Sequence, residues 1–260
     1  MSRTHAPRLP RRQRSGTGAG EESATRASAA SEQVGAAAEH VTAAAERVVQ
    51  AVKPILRGWI HTVTAPLALA ACIVLIALTP SGYRWTTIVF GIASVVLFSV
   101  SAVYHRGTWS PRVTATLRRL DHSNIFLLIA GTYTPLSWIL LPRPTALLVL
   151  GIVWGGAIVG SLMKVLWLGA PRWLYVPIYV ALGWVAVWFL PQFRVAGSGA
   201  VMWLVIAGGI AYTVGALAYA LKWPNPSPRW FGFHEIFHAG TVIGWVCHFI
   251  AAMMAVVSLR

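Results

Sequence analysis

Two histidines one helical turn apart, His234 and His238, stand at the start of the last apolar stretch of the chain. In a helix, positions i and i+4 share one face and lie about 6 Å apart, so that two imidazoles can bind one metal ion. A single pair of this kind also occurs often in proteins without a metal. Its place at the entrance of a membrane-length stretch gives it weight, because ionisable groups inside membranes are usually functional.

The composition of the chain indicates a membrane protein. Its 260 residues are 57% hydrophobic and only 11% charged, with thirteen tryptophans. The net charge of +14 is spread over an N-terminal tail and the short loops between apolar runs, a distribution that bilayer topology explains better than nucleic-acid binding does. We therefore expect a multi-pass integral protein of the cell membrane, with membrane lipids rather than nucleic acid as its partners.

Seven apolar runs predict an all-α bundle of seven transmembrane helices over residues 54–260. Breaks rich in proline, glycine or arginine separate them. The predicted runs are 60–79, 84–104, 122–141, 145–164, 173–191, 199–221 and 236–257. The preceding tail, 1–53, is predicted to be disordered over 1–30 and helical from about 27 to 52, where alanine, glutamate and valine dominate.

The distribution of lysine and arginine over the loops predicts the orientation of the bundle. One side carries Lys53, Arg57, Arg106, Arg112, Arg118, Arg119, Lys164, Arg172, Lys222 and Arg229. The other side has only Arg84, Arg143, Arg194 and Arg260. The N-terminus is therefore expected in the cytoplasm and the C-terminus outside.

Small residues inside the runs indicate packing rather than chemistry. The two cysteines, Cys72 and Cys247, are single and surrounded by apolar residues, which is typical of small core residues. The fourth run has four glycines that are expected to let neighbouring helices approach closely, namely Gly151, Gly155, Gly156 and Gly160.

This topology brings polar residues of three runs to the cytoplasmic end of the bundle. The second run ends there with Ser101 and His105, the third begins there with Asp121, and the seventh begins there with His234 and His238. Three neutral imidazoles with an open fourth position are the ligand set of a catalytic zinc site. Imidazole also suits copper, nickel and iron, but zinc is the default where thiolate and clustered carboxylate ligands are missing.

In such a site, Asp121 would orient a water molecule or accept its proton. Ser101, one turn before His105, would bond that water or a substrate oxygen. Each residue also has a structural interpretation. Histidines at membrane ends often bond carbonyl groups or lie among headgroups, Asp121 could pair with Arg118 or Arg119, and Ser101 could bond a carbonyl of its own helix.

Four further polar residues near these positions have other expected roles. His61 is either a fourth member of the cluster or, as we favour, an interfacial anchor beside Trp59. His122 is turned about 100° from Asp121 around its helix and should face elsewhere. His248 lies about 15 Å deeper than His238, too far to share its metal. Glu235 should support the ligands or face lipid headgroups rather than bind the metal.

Several short motifs together make the sequence resemble the hemolysin III family, the bacterial branch of the progestin and adipoQ receptor (PAQR) group. They span roughly residues 54–258 and leave the tail out. The matching segments are Arg57-Gly58-Trp59-Ile60-His61, Ser101-x-x-Tyr104-His105, Leu120-Asp121-His122-Ser123-Asn124-Ile125-Phe126, Ala130-Gly131-Thr132-Tyr133-Thr134-Pro135, His234-x-x-x-His238 and His248.

The resemblance implies a seven-helix membrane fold with a cytoplasmic N-terminus. It also implies a zinc ion held by three histidines, which fall on His105, His234 and His238, with the aspartate and serine of the pattern on Asp121 and Ser101. Related receptors and alkaline ceramidases share this arrangement and hydrolyse lipid amides, so the resemblance implies a wider hydrolase superfamily.

Two hypotheses of function follow, and both use the same ligands. In the first, the protein is a zinc-dependent intramembrane hydrolase of lipid amides or esters, whose lipid substrate enters the helix bundle laterally. In the second, it is a non-catalytic membrane sensor, receptor-like or homeostasis protein, in which zinc ties the second, third and seventh helices together. A cytolysin that forms pores fits less well, because the runs lack a sustained amphipathic lining.

Overall fold

The computed structural model describes residues 32–35, 54–167 and 169–260. Residues 32–35 are helical. The remainder of the helix predicted over 27–52 and the disorder predicted for 1–30 lie outside the described residues, and the division of the chain at residue 54 stays a prediction.

Seven helices of the body are long and apolar enough to cross a membrane, and the described residues form no strand. We call them the first to seventh spans: Trp59–Leu78, Arg84–Arg106, Pro111–Leu140, Arg143–Leu166, Arg172–Gly197, Gly199–Leu221 and Phe233–Val257. The prediction of an all-α, multi-pass membrane bundle is confirmed. Five predicted runs agree with these bounds to within three residues, and the third and fifth do not.

The third span begins at Pro111, well before the predicted start at residue 122. The Ser110 side chain accepts the backbone N–H of Val113, and Pro111 occupies the first turn, so a side-chain cap and a proline start the helix together. The break expected in the arginine-rich segment before the third run is wrong beyond residue 110, where the chain is already helical. Apolarity marks only the part of a helix that lies in the membrane, so it does not show this earlier start. As a result, Asp121 lies inside a helix rather than at its start.

The fifth span is interrupted. Its first α-helical part ends at Gly183, a 3-10 turn covers Trp184–Phe189, and an α-helix resumes over Leu190–Gly197. The hydroxyl of Tyr133, from the third span, donates to the Gly183 carbonyl at 2.7 Å and accepts the backbone N–H of Ala186 at 2.6 Å. Backbone groups freed by a break inside a membrane need such partners, so the third span stabilises the interruption.

The third span is the central one, with most of its length buried. It packs against the second, fourth, fifth and seventh spans, while the first span packs against both the second and the seventh. Between the second and seventh spans, the Trp245 indole N–H donates to the Ser94 hydroxyl at 2.8 Å. Phe90 and Phe98 pack against the same indole. The second and seventh spans are therefore held together deep in the bundle as well as at their ends.

Two of the four glycines in the fourth span allow close packing, and two do not. A Cβ at Gly160 would lie 2.3 Å from the ring of Phe126, and one at Gly156 would lie 2.7 Å from Leu182. The expectation that all four bring helices together is wrong, because nothing lies within 4 Å of a Cβ placed at Gly151 or Gly155. Periodicity alone cannot tell which glycines face a neighbour and which face lipid.

The two glycine classes give a matched pair of substitutions. Gly155→Ala and Gly160→Ala gain the same helix propensity, about 1 kcal/mol, but Gly160→Ala also forces a methyl group against the fully buried ring of Phe126. Overpacking of this kind costs about 1–3 kcal/mol. Thermal unfolding of the purified protein in detergent should show a lower midpoint for Gly160→Ala than for Gly155→Ala. Equal midpoints would contradict the close contact.

Candidate metal centre

The start of the seventh span sets the position of two of the candidate ligands. The helix begins at Phe233, and the carboxylate of Glu235 accepts the backbone N–H of Gly232 at 2.8 Å, which satisfies a free donor at the helix start. One turn apart on this helix, His234 and His238 have ring centroids 4.5 Å from each other. His238 is buried, and His234 is partly buried.

His105, in the last turn of the second span, completes the group. Its Nε2 atom lies 3.2 Å from Nε2 of His234, and its ring centroid lies 5.0 Å from that of His238. One nitrogen from each of the three rings falls within 4.8 Å of the others. Ligand atoms of a tetrahedral site with bonds of about 2.0–2.1 Å stand about 3.3 Å apart, so this group could hold a metal ion.

Asp121 lies at the edge of the group. Its Oδ2 atom is 3.7 Å from Nε2 of His105 and 3.8 Å from Nδ1 of His122, too far for direct hydrogen bonds. The alternative of an ion pair with Arg118 or Arg119 is wrong, since within the described residues neither arginine comes within 4.0 Å of this carboxylate. Arg119 instead donates to the carbonyl of Val165.

Ser101 is buried in the second span, one turn before His105. The structure therefore brings all five predicted site residues to one place, at the end of the bundle where the second span ends and the seventh begins. Their roles stay predictions. The fit to a metal rests on the imidazole nitrogens, and the free carboxylate beside them is a separate feature.

His61 is not the interfacial anchor that we favoured. It is 2% exposed, and its ring stacks parallel on that of His238 with centroids 4.0 Å apart. Neither of its ring nitrogens has a hydrogen-bond partner within the described residues. Its burial has a signal in the sequence, because small residues, Thr64, Ala68 and Cys72, continue the same buried helix face.

Two further histidines have separate partners. Nδ1 of His122 lies 2.7 Å from the carbonyl oxygen of Arg118. A carbonyl can only accept, so Nδ1 carries the proton. Nε2 then accepts the hydrogen bond from the Tyr219 hydroxyl at 3.3 Å. His248 bonds the Val205 carbonyl deeper in the bundle. Both residues lie outside the group of three, as expected from the sequence.

Comparisons with known proteins show the family of the chain. A family model described as "Haemolysin-III related" matches residues 49–249. The chain is 31% identical over 163 residues to Hemolysin-3 of Bacillus cereus, covering 61% of this chain and 74% of that protein. It is 30% identical over 166 residues to a Hemolysin-3 homolog of Bacillus subtilis, covering 62% and 78%. The chain belongs to the hemolysin III family.

A more distant relative connects the family to the wider PAQR group. The chain is 26% identical over 187 residues to the heptahelical transmembrane protein ADIPOR2 of rice, covering 65% of this chain and 80% of that protein. The family match spans every candidate residue from Ser101 to His238. The match extends to residue 249 and so includes His248 as well.

An ion pair that the sequence did not reveal holds the start of the seventh span in this hemolysin III protein. Nε of Arg57 donates to the Glu235 carboxylate at 3.0 Å, and Glu235 is 1% exposed. Glu235 therefore does not face lipid headgroups. It bonds Arg57 and the backbone at the start of the helix that carries His234 and His238, and its expected support of metal ligands stays a prediction. Arg57 precedes the first span, and only the scarcity of acids in the body hinted that Glu235 needs a basic partner.

Backbone contacts strengthen this junction. The N–H groups of Ile55 and Leu56 donate to the carbonyls of Arg229 and Trp230. Gly58 follows with φ of 82°, a left-handed conformation that favours glycine, and a Cβ there would lie 2.8 Å from Cβ of His105. The segment before the first span thus packs directly against one candidate ligand and is bonded to the helix that carries the other two.

An apolar cavity lies between the third, fifth, sixth and seventh spans. None of the three histidines lines it, but Phe237, the neighbour of His238, does. Near the histidines its wall includes Phe237 and Tyr179, and further along it includes Tyr133, Trp184 and His248. Aliphatic and aromatic side chains form most of its surface. The broken part of the fifth span contributes Gly183 and Trp184, so the interruption helps to shape the cavity.

Removal of Arg57 should destabilise the protein strongly. In Arg57→Ala the buried Glu235 carboxylate loses its counter-ion, which typically costs about 3–5 kcal/mol. Arg112→Ala is the control, since Arg112 is exposed and pairs with no acid in the described part of the chain. Thermal unfolding should give a large loss for Arg57→Ala, little change for Arg112→Ala, and a smaller loss for Arg57→Ala combined with Glu235→Gln. Similar midpoints for both arginine variants would rule out a structural role for the pair.

Proposed function

We propose that this protein is a zinc-dependent intramembrane hydrolase of lipid amide or ester bonds. The observation that supports it is the grouping of His105, His234 and His238 with the Asp121 carboxylate beside them. An apolar cavity, whose wall includes Phe237 next to His238, lies close to this group. The three imidazoles would hold the zinc ion and leave its fourth position open. Both cysteines of the body lie on other parts of the first and seventh spans, so the donor set is purely imidazole.

Zinc, when bound, supplies a Lewis acid that polarises a carbonyl and makes water nucleophilic near neutral pH. Asp121 is the base in this proposal. Its carboxylate has no Lys or Arg partner within the described residues, and it lies 3.7 Å from the coordinating edge of His105. It can therefore hold a water molecule there, take its proton, and return that proton to the leaving amine or alcohol.

Ser101 positions Asp121 and the reacting oxygen. The serine is buried one turn before His105, and its hydroxyl would donate to Asp121 or to the substrate carbonyl oxygen. The amide or ester class follows from the same groups, because a carbonyl is what Lewis acid, base and hydroxyl donor act on together. The apolar cavity favours a long acyl chain as the remainder of the substrate.

A second candidate function is a sensor or receptor-like protein with a structural zinc ion. It is favoured by the origin of the ligands, which come from the second and seventh spans alone. These two spans are also joined deeper in the bundle by the bond from Trp245 to Ser94. Zinc would then join the cytoplasmic ends of the second and seventh spans, which contact each other deeper in the bundle without a metal. Asp121 would have no reaction to assist.

Metal content tests the ligand assignment. Purified protein should carry about one zinc per chain, and His234→Ala should lose most of it, because two imidazoles remain. His61→Phe is the matched control, since phenylalanine keeps the stacked packing on His238 and removes both ring nitrogens. Elemental analysis by mass spectrometry should find zinc retained in His61→Phe. Zinc that stays in His234→Ala, or leaves with His61→Phe, would show that the ligand set is wrong.

Turnover separates the two functions. On a panel of fatty-acyl amides and esters, Asp121→Asn should keep its zinc and lose about 100-fold or more in kcat, because general-base catalysis contributes that much. Ser101→Ala should lose less. The control is Thr116→Ala, at an exposed position of the third span, which also carries Asp121. Zinc at one per chain with no turnover of any lipid would refute the hydrolase and support the structural metal.

A further inference from the structure

His248 lies where two cavities of the bundle meet. One is the apolar cavity whose wall includes Phe237, next to His238. The other continues toward the opposite end of the bundle, along Leu190, Phe193 and Val205. Both share His248, Tyr133 and Trp184 in their walls. His248 is therefore a polar residue about halfway along a path that is otherwise mostly apolar.

The hydrogen bonding of His248 fixes its tautomer. Nε2 lies 3.1 Å from the carbonyl oxygen of Val205, and a carbonyl can only accept, so Nε2 carries the proton. Nδ1 is then a bare acceptor. It is buried and has no partner in the described part of the chain. A buried acceptor without a donor costs free energy. This nitrogen can therefore accept a hydrogen bond from an N–H or O–H group that enters the cavity.

Glycine makes this arrangement possible. A Cβ at Gly208 would lie 2.4 Å from Nε2 of His248, so only glycine at this position lets the imidazole reach the Val205 carbonyl. The sixth span thus has no side chain at the point where the ring of His248 packs against it. The same Cβ would lie 3.1 Å from the Gly244 carbonyl oxygen, so this glycine also lets the sixth and seventh spans pack closely.

Tyr212 supplies a second polar atom beside the first. Its ring centroid lies 5.5 Å from that of His248, and it lines the same cavity. Its hydroxyl is buried and, like Nδ1 of His248, has no partner among residues 54–167 and 169–260. A hydroxyl group can both donate and accept. One ligand hydroxyl could therefore donate to His248 and accept from Tyr212.

We propose that His248 and Tyr212 form a hydroxyl-binding point in the cavity, which takes an acyl chain that carries a hydroxyl group partway along its length. The position of that hydroxyl rests on the proposed function, which places the carbonyl carbon at the three histidines. His248 follows His238 by ten residues, or about 15 Å of helix. An extended chain with carbon–carbon bonds of about 1.5 Å advances roughly 1.3 Å per bond, so the hydroxyl falls near the twelfth carbon.

The test is a comparison of two free fatty acids that differ in this one group. The intact protein, purified in detergent with its zinc, is given radiolabelled octadecanoic acid, and unlabelled octadecanoic or 12-hydroxyoctadecanoic acid displaces it. The hydroxy acid should bind roughly tenfold more tightly, the worth of one or two net hydrogen bonds. The isomer 2-hydroxyoctadecanoic acid should gain nothing at this point, because its hydroxyl lies next to the carboxylate.

Variants localise the preference. Tyr212→Phe and His248→Phe should each reduce the ratio of the two affinities toward one while octadecanoic acid still binds. Tyr83→Phe, at the loop before the second span and away from the cavity, should keep the full ratio. Tyr212→Phe removes a single oxygen, so it remains informative if His248→Phe does not fold.

The outcomes are distinct. Equal affinity of the two acids for the wild-type protein, no binding of either acid, or an unchanged ratio in Tyr212→Phe would overturn the proposal. The hydroxyl preference without any lipid hydrolysis would retain the binding point and reject the hydrolase. Hydrolysis of acyl amides or esters without the preference would reject the binding point alone.

Discussion

The approach of His105 to His234, with their Nε2 atoms 3.2 Å apart, is the contact on which this end of the bundle depends. It joins the last turn of the second span to the first turn of the seventh and leaves His238 one turn deeper on the same face. In a lipid environment, polar side chains must find partners inside the protein. A metal ion bound by all three imidazoles would satisfy their inward-facing nitrogens at once, which two rings bonded to each other could not do.

The two acids of the body have opposite surroundings. Glu235 is enclosed by Arg57 and by the backbone N–H of Gly232, so both carboxylate oxygens are occupied in holding the helix that carries two of the candidate ligands. Asp121 lies 3.7 Å from His105, with no Lys or Arg partner among the described residues. A carboxylate without a basic partner can bind and move a proton, whereas one held in an ion pair cannot do so without breaking it.

Much of the fold could be predicted because the bilayer demands long apolar helices, and the runs at 84–104 and 199–221 matched closely. The assembly of the three histidines followed from topology, since alternate helix ends meet on one side. Other features depend on side-chain contacts that no periodicity encodes. The stacking of His61 on His238 and the pairing of Arg57 with Glu235 needed the relative rotation of the first and seventh spans. The start of the third span was missed because apolarity does not mark the helix outside the membrane.

X-ray absorption at the zinc edge of the purified protein reports the donor atoms around the metal without reference to activity. We expect three imidazole nitrogens, from His105, His234 and His238, at about 2.0–2.1 Å, together with one oxygen donor. A spectrum with sulfur donors, with fewer than three imidazoles, or from a preparation that binds no zinc would contradict it.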